Sequence, residues 1–590
     1  MRVAVLALCV PLLWPAAAFA TTYLVRPDGT GDYPTIQAAI NAAANGDTVA
    51  LTDGTFTGDG NRDIGYLGKA ITVRSQSGNA AACVIDCEAT QWDLHRGFSF
   101  HAGEGSGSIL DGIKIINGVQ YHGGGVLCQG TSPSIGDCIL EANTANNDRG
   151  GGLYCSGDSS PRLVGCRFVG NVAVQHGGGA LGLMSGGSVS VTDCVFTKNT
   201  GPRGGAIYCW GGTPTFTRCI FTENHAGDLG GALHYQSGSR PTVTDCQFVA
   251  NSAHDGGAVF AWDELSAEIA DCIFVGNRAT DGGGGVKCYM GAPTVGGCSF
   301  SGNQADEGGG LIAYMSDADV SDCVFRQNAA TRGGGMLCWG HPSHVNQCTF
   351  WGNRAEAGGA LLAEYATPWL GNCTFSGDSA ASGAEIWSSY DSQVQLVNTI
   401  VSHGVVGEGV GCSEGSTATL TCCDVFGNAG GDWAGCIADQ VGVNGNFSLD
   451  PFFCAAGSGD YRLWNYSPCD QEGCGLIGAW PVGCEDPQAV SGEVVASGAR
   501  LWTVPNPFAG GTTIAYRLGP GSSADGVSVA IYDVAGRLVR TLRAQSVKGG
   551  TAQLRWDGTD DAGRALPGGM YVLRMAGDGR TVTERIIKIR

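Results

Sequence analysis

The sequence predicts an all-β protein, a long parallel β-solenoid followed by a separate small β module. Three observations predict it. The motif Cys-x-Phe-x-x-Asn recurs, strictly or nearly, at Cys138, Cys166, Cys194, Cys219, Cys246, Cys272, Cys298, Cys323, Cys348 and Cys373, in steps of 28, 28, 25, 27, 26, 26, 25, 25 and 25 residues. A Gly-Gly pair and a short alternating run follow the motif, as in GGAIYCW, GGALHYQ, GGAVFAW and GGGMLCW. Residues 499–590 contain no Cys and carry longer alternating runs, so they form a different unit. A period near 25 with period-two runs, glycine turns and no helical spacing fits coils of about three short strands, stacked at ~4.8 Å. Eleven or more coils make a rod on the order of 50–60 Å long.

The first twenty residues stand apart from the fold. Arg2, an apolar stretch from Val3 to Trp14 and Ala18-Phe19-Ala20 make a secretory signal, so the mature chain is expected to be secreted or attached to the cell surface. No later stretch approaches the ~20 apolar residues of a membrane span. The net charge is −21 and no basic run occurs, which excludes nucleic acid as a partner because phosphate binding needs clustered Lys and Arg. Residues Thr35 to Ala44 have helical spacing, and Gly-Asp-Thr then opens an apolar strand.

Within each repeat, the period of two sends Cys and Phe to one face, the interior. The Asn column, Asn143, Asn171, Asn199, Asn224, Asn251, Asn277, Asn303, Asn328 and Asn353, lapses to Asp378. It predicts an amide ladder at a corner. The glycine pairs allow positive φ at the next corner. Cys209, Cys219, His225 and His234 fall within one short stretch and suggest zinc, but the cysteines recur as columns while the histidines do not, so convergent ligands are lacking. A second column holds Cys128, Cys155, Cys209, Cys288 and Cys338, with Leu183, Tyr235, Ala261, Ala313 and Ala363 in the other coils. Free replacement by small or apolar residues marks interior thiols, with some intra-coil disulfides as the rival reading.

From Cys412 the period breaks and Cys412, Cys422, Cys423, Cys436, Cys454, Cys469, Cys474 and Cys484 cluster, which predicts disulfides in a cap over the exposed solenoid end. The expected layout is a signal segment 1–20, a solenoid with both caps 21–484, a linker 485–498 and a β module 499–590.

Three stretches resemble known families. TTYLVRPDGTGDYPTIQAAI resembles the N-terminal cap of pectin-lyase-type right-handed β-helices, which implies right-handed coiling and carries no catalytic residue. Gly204–Ile207 (GGAI) with Cys219–Asn224 (CIFTEN) resembles the repeats of chlamydial polymorphic outer-membrane proteins, a family of surface adhesins. No membrane barrel follows here, so that family's mode of attachment is not implied. VPNPF, IYDVAGRLVRTL and WDGTDDAGRALPGGMYVLRM resemble the flagellar hook-capping-type Ig-like domain. Similar modules sort proteins in type IX-like secretion, which implies a small Ig-like β-sandwich engaging export machinery. Asp557, Asp560 and Asp561 could suggest calcium, but Trp-Asp-Gly followed by Asp-x-Gly is this module's usual hairpin turn, so no cofactor is assigned.

Function is sought on the strand after each Gly-Gly pair. With Ile207 and Cys209 inward, one outward column reads Met184, Trp210, Gln236, Trp262, Tyr289, Tyr314 and Trp339, and its neighbour includes Tyr154, Tyr208, His234, Phe260, Lys287, Ile312 and Leu337. Aromatic side chains repeating at ~5 Å suit sugar rings or a partner surface. The expected contact residues are Tyr208, Trp210, Phe260, Trp262, Tyr289, Tyr314 and Trp339. The alternative is packing beneath loops or against the C-terminal module. Weaker catalytic candidates are Asp263 and Glu264, with Lys287 one coil on and His234 one coil back, a set suited to a polysaccharide lyase or hydrolase. The expected function is noncatalytic binding or adhesion, to a glycan or a cell-surface protein.

Overall fold

The computed structural model describes residues 20–484, save 185, 263–266, 414 and 472, and residues 500–589, save 505–507, 518–527, 534–536, 544–550 and 578–579. Most of the expected signal segment, the expected linker, and Asp263 and Glu264 lie outside the described residues. The chain divides into two units, residues 1–454 with 461–484, and residues 455–460 with 485–590.

The first unit is a parallel solenoid. One coil runs through the strands Thr215–Thr217, Ile220–Thr222, His225–Leu229 and Leu233–Gln236. Repetition of these strands builds parallel sheets of 16, 15, 7 and 14 strands respectively. The 7-stranded sheet runs from Val119–Gln120 to Arg278–Ala279, so the middle coils have a short fourth strand beyond the three expected. The solenoid is longer than the motif count implies, because segments before Cys138 and after Cys373 coil without the motif. At the start, Thr35 Oγ1 accepts the Ala38 N–H at 3.2 Å and caps a single helical segment, Ile36–Ala42, which buries Ile36, Ala39 and Ile40.

Two interior ladders hold the coils in register. Phe168, Phe196, Phe221, Phe248, Phe274, Phe300, Phe325, Phe350 and Phe375 stack with centroids 4.6–4.9 Å apart and planes within 13° of parallel. Beside them runs the predicted amide ladder, fully buried. The backbone N–H and the Nδ2 of Asn224 both donate to Asn251 Oδ1 at 3.0 Å, and Nδ2 also donates to the Phe196 carbonyl of the preceding coil at 3.0 Å. From Asn171 to Asn353 both amide hydrogens and both lone pairs of each rung are thereby used, so burial leaves nothing unpaired. At the following corner Gly230 has φ 62°, and a Cβ on Gly231 would lie 2.1 Å from the Gly257 carbonyl oxygen, so this pair admits no other residue.

The ladder changes at one point. Asp378 still accepts the N–H and Nδ2 of Asn353, but its own N–H meets Glu385 Oε1 at 3.2 Å. The next rung is Gly404, which has no side chain, and Glu385 fills the vacancy until Asn428 resumes as acceptor for the Gly404 N–H. Burial pushes the Asp378 carboxyl up to about 6 and the Glu385 carboxyl well above the usual range, with Asp378 adding to the rise at Glu385.

Both interior Cys columns are buried free thiols, as expected. Burial pushes Cys288 and Cys338 up to about 12, which makes them inert. In the C-terminal cap the disulfides are Cys412–Cys436, Cys422–Cys474 and Cys454–Cys484, while Cys423 and Cys469 remain thiols. The cap strand also turns back over the solenoid wall, where Trp480 Nε1 donates to Thr349 Oγ1 at 2.7 Å and the Ala479 N–H to Thr374 Oγ1 at 3.0 Å.

The second unit contains antiparallel sheets of three and four strands, with Phe508, Ile514, Ile531, Trp556, Leu573 and Ile586 in its core. Asp557 Oδ1 accepts from the Thr559 N–H and Oγ1, and Asp560 from the Ala562 and Arg564 N–H groups, so both carboxylates serve the hairpin turn.

Alkylation of the denatured, unreduced protein should label every interior-column cysteine, Cys423 and Cys469, and spare the six disulfide cysteines until reductant is added, as read by mass. Asp378→Asn should restore the missing amide donor. Because burial raises both carboxyls in the folded state, wild-type stability is greatest at acidic pH, where both are protonated, and is lost as pH rises from the ordinary carboxylate range through about 6. The variant should therefore gain about 1–3 kcal/mol at pH 8 and less at pH 5, measured by thermal unfolding at both.

Candidate binding face

The pairing register of the 14-stranded sheet aligns the two outward columns as the sequence implies: Met184↔Trp210↔Gln236, Trp262↔Tyr289↔Tyr314↔Trp339, and Tyr208↔His234↔Phe260↔Lys287↔Ile312↔Leu337. Their environments differ. The Tyr208 column is buried: Tyr208 is 1% exposed, Phe260 3% and His234 0%. Tyr208 and Phe260 are therefore corrected as contact residues. The cause is the chain entering each Gly-Gly corner, which folds back over the outside of this column. A Cβ on Gly230 or Gly333 would lie 3.1 Å from the His234 or Leu337 Cβ, and the Arg149 guanidinium covers the Tyr208 ring at 4.7 Å. Ile312, Leu337 and Leu362 form a small apolar cluster there, with Tyr314 and Trp387 against it.

Two of the four catalytic candidates, His234 and Lys287, are buried as well. Burial holds the His234 imidazole down at about 4, so it is neutral, and its Nε2–H donates to Gln236 Oε1 at 2.9 Å. Lys287 is buried, with Nζ 2.6 Å from Asp255 Oδ1 and 3.6 Å from Asp281 Oδ2. It is a structural cation beneath the corner, not an open base. His234 and Lys287 converge on no cleft, and Asp263 and Glu264 lie outside the described residues.

The Trp210 column reaches solvent. Trp210 and Trp262 are 40% and 41% exposed, and Tyr289, Tyr314 and Trp339 are half-buried. Trp210 stands alone, with Arg149 5.9 Å from its ring and Gln236 separating it from Trp262. From Trp262 onward the rings form an unbroken track. Trp262 meets Tyr289 at 5.4 Å, Tyr289 meets Tyr314 at 5.4 Å, and Tyr314 meets Trp339 at 4.3 Å. The track then passes to two residues outside the expected set. Trp339 meets Tyr365 at 5.8 Å, and Tyr365 meets Tyr390 at 5.1 Å. Both tyrosines are more than half exposed and occupy the corner position one residue beyond the column. Their 25-residue separation was visible in the sequence, but they lie one position off the register followed.

Polar groups lie along the track. Arg332 bonds Glu307 and Glu364, the latter in register with Trp339, and His341 Nδ1 lies 3.1 Å from Asp317 Oδ1. Among the described residues no cluster of three or more His, Cys, Asp or Glu is placed to hold a metal, and no helix is long and apolar enough to cross a membrane.

Comparison with known proteins bears on the two units separately. The profile of the right-handed β-helix region matches residues 44–214, 104–274 and 177–330, and that of the FlgD Ig-like domain matches residues 503–580. The chain joins a right-handed β-helix to an FlgD-type Ig-like domain. No curated protein matches it. Among solved structures, the β-helix protein is similar to the PL6 family alginate lyase AlyGC, at 8% identity over 69% of this chain and 81% of that one, with a TM-score of 0.27. It is also similar to pectate lyase Pel9A, at 12% identity over 79% of this chain and 97% of that one, with a TM-score of 0.21. Likenesses this low carry nothing about activity.

Lys287→Met should destabilise the β-helix by about 1–3 kcal/mol, because Asp255 loses its buried counter-charge. Burial already raises the Asp255 carboxyl, so the loss should be larger at neutral than at acidic pH in thermal unfolding.

Proposed function

We propose that this is an exported, noncatalytic binding or adhesion protein that uses the aromatic track as its contact face, with the Ig-like module serving export or attachment. The observation that supports this reading is the track itself: Trp262, Tyr289, Tyr314, Trp339, Tyr365 and Tyr390 occupy six successive coils. A solvated β-helix wall is ordinarily Thr, Ser, Lys and Asp. A continuous aromatic strip costs solubility and persists where it contacts something. Of the candidate acid–base groups, His234 is neutral and buried and Lys287 is bound in ion pairs beneath a corner, which favours binding over catalysis at this face.

The test is retention of the purified chain on a panel of immobilised polysaccharides and cell-surface extracts. Trp262→Ala and Tyr365→Ala should each weaken retention at least about tenfold, and Trp210→Ala less, because Trp210 stands off the track. Undiminished retention by both of the first two variants would refute the reading. Depolymerisation of any polysaccharide in the panel would refute its noncatalytic part.

A further inference from the structure

The rings of the track do not all offer solvent the same surface. Tyr289, Tyr314 and Trp339 are stacked with planes within 6° of parallel and are half-buried, so much of their ring surface is spent within the track. At both ends the orientation turns. Trp262 lies at 70° to Tyr289, and Tyr365 lies at 69° to Trp339 with Tyr390 nearly parallel to it. Trp262, Tyr365 and Tyr390 are also the most exposed rings of the six, at 41%, 53% and 54%. The apolar C–H face of a sugar packs on an aromatic face, whose partial negative charge attracts it, and not on an edge.

Tyr365 and Tyr390 sit at a corner that the earlier coils also turn with positive φ, 65° at Met290, 49° at Met315 and 80° at Gly340 against 50° and 54° at the two tyrosines, so the corner is shared and only the side chain placed on it differs.

Geometry and charge then limit the ligand. From Trp262 to Tyr365 the track advances four coil steps, about 19 Å at ~4.8 Å each. A linear pyranose chain advances by about one step per sugar. The track is one ring wide, which suits a linear polymer better than a globular partner, whose stable contact needs a patch of roughly 800 Å² on each side. The chain carries net charge −21, and Asp281 and Asp317 are exposed beside the track, so a polyanion is repelled.

We propose that the track binds an uncharged linear oligosaccharide running along the β-helix axis, stacked on Trp262 at one end and on Tyr365 and Tyr390 at the other. This rests on the track being the contact face. Two platforms on one ligand act as linked sites, so affinity depends on reaching both.

The test is calorimetric titration of the full chain with β-1,4-linked glucose and N-acetylglucosamine oligomers of about two to six units, and with galacturonate oligomers of the same lengths. Affinity for an uncharged series should rise at least about tenfold between about three and five units and then level. Trp262→Ala and Tyr365→Ala should each remove that rise, with unchanged thermal unfolding showing that the fold persists. Trp92→Ala, at 87% exposure on an N-terminal loop, should not. Dimers as tight as hexamers, or uronate oligomers binding tightest, overturn this inference and leave the contact face standing. Binding indifferent to both track variants overturns the inference and the reading beneath it. If no oligomer binds while the retention assay still depends on Trp262, the ligand is of another class and the inference alone falls.

Discussion

The structure depends on one constraint, the in-register stacking of identical groups at the spacing of parallel strands. A buried amide is stable only if all four of its hydrogen-bonding positions are filled. The Asn column meets that condition because each rung takes its acceptors' partners from the coil before and its own acceptor from the coil after. The same spacing places the phenylalanine rings face to face. Each coil is thus incomplete without its neighbours, which is why neither the ladder nor the stack tolerates a missing rung. Where one is missing, at Gly404, a side chain from another part of the coil is recruited, and the recruited group is an acid buried beside another acid.

This constraint also decides what the sequence could disclose. Any residue whose role is to match its counterpart one coil away leaves a period in the chain. The Cys, Phe and Asn columns, the Gly-Gly corners and the outward register were therefore legible, and so was the change of unit near residue 485, where the cysteines stop. Roles set by what lies across a corner leave no period. That His234 and Phe260 sit on the outer side of a strand follows from alternation. That they are buried there follows from the path of the chain entering the next corner, which alternation does not describe. Glu385 is a case of the same kind, since only the absence of a side chain at Gly404 gives it a place in the ladder. The pairing among the cap cysteines was illegible because it depends on how an irregular segment folds back.

Lys287 illustrates how a charged side chain in a recurring column can mislead. In sequence it stands near two acids and a histidine, a grouping that suits general acid–base chemistry. In the fold its ammonium group is drawn under the corner to Asp255, and its long aliphatic stem fills the space that Ile312 and Leu337 fill in later coils. Volume and apolar length explain the choice of Lys at that position as well as charge does.

The regularity that builds the β-helix works against recognition by aromatic side chains. An aromatic residue repeated in register stacks on its own copies, and its face, the part best suited to another ring, is consumed by the scaffold. Tyr314 and Trp339, at 4.3 Å and 1° from parallel, are the limiting case. The more exposed rings occur where the repeat is broken, either because the neighbouring coil lacks an aromatic side chain, as Gln236 does before Trp262, or because the ring shifts to another column, as at Tyr365. On such a scaffold the residues that follow the repeat are expected to hold the coils together. Those that depart from it by one position, as Tyr365 and Tyr390 do, keep more of their rings in solvent.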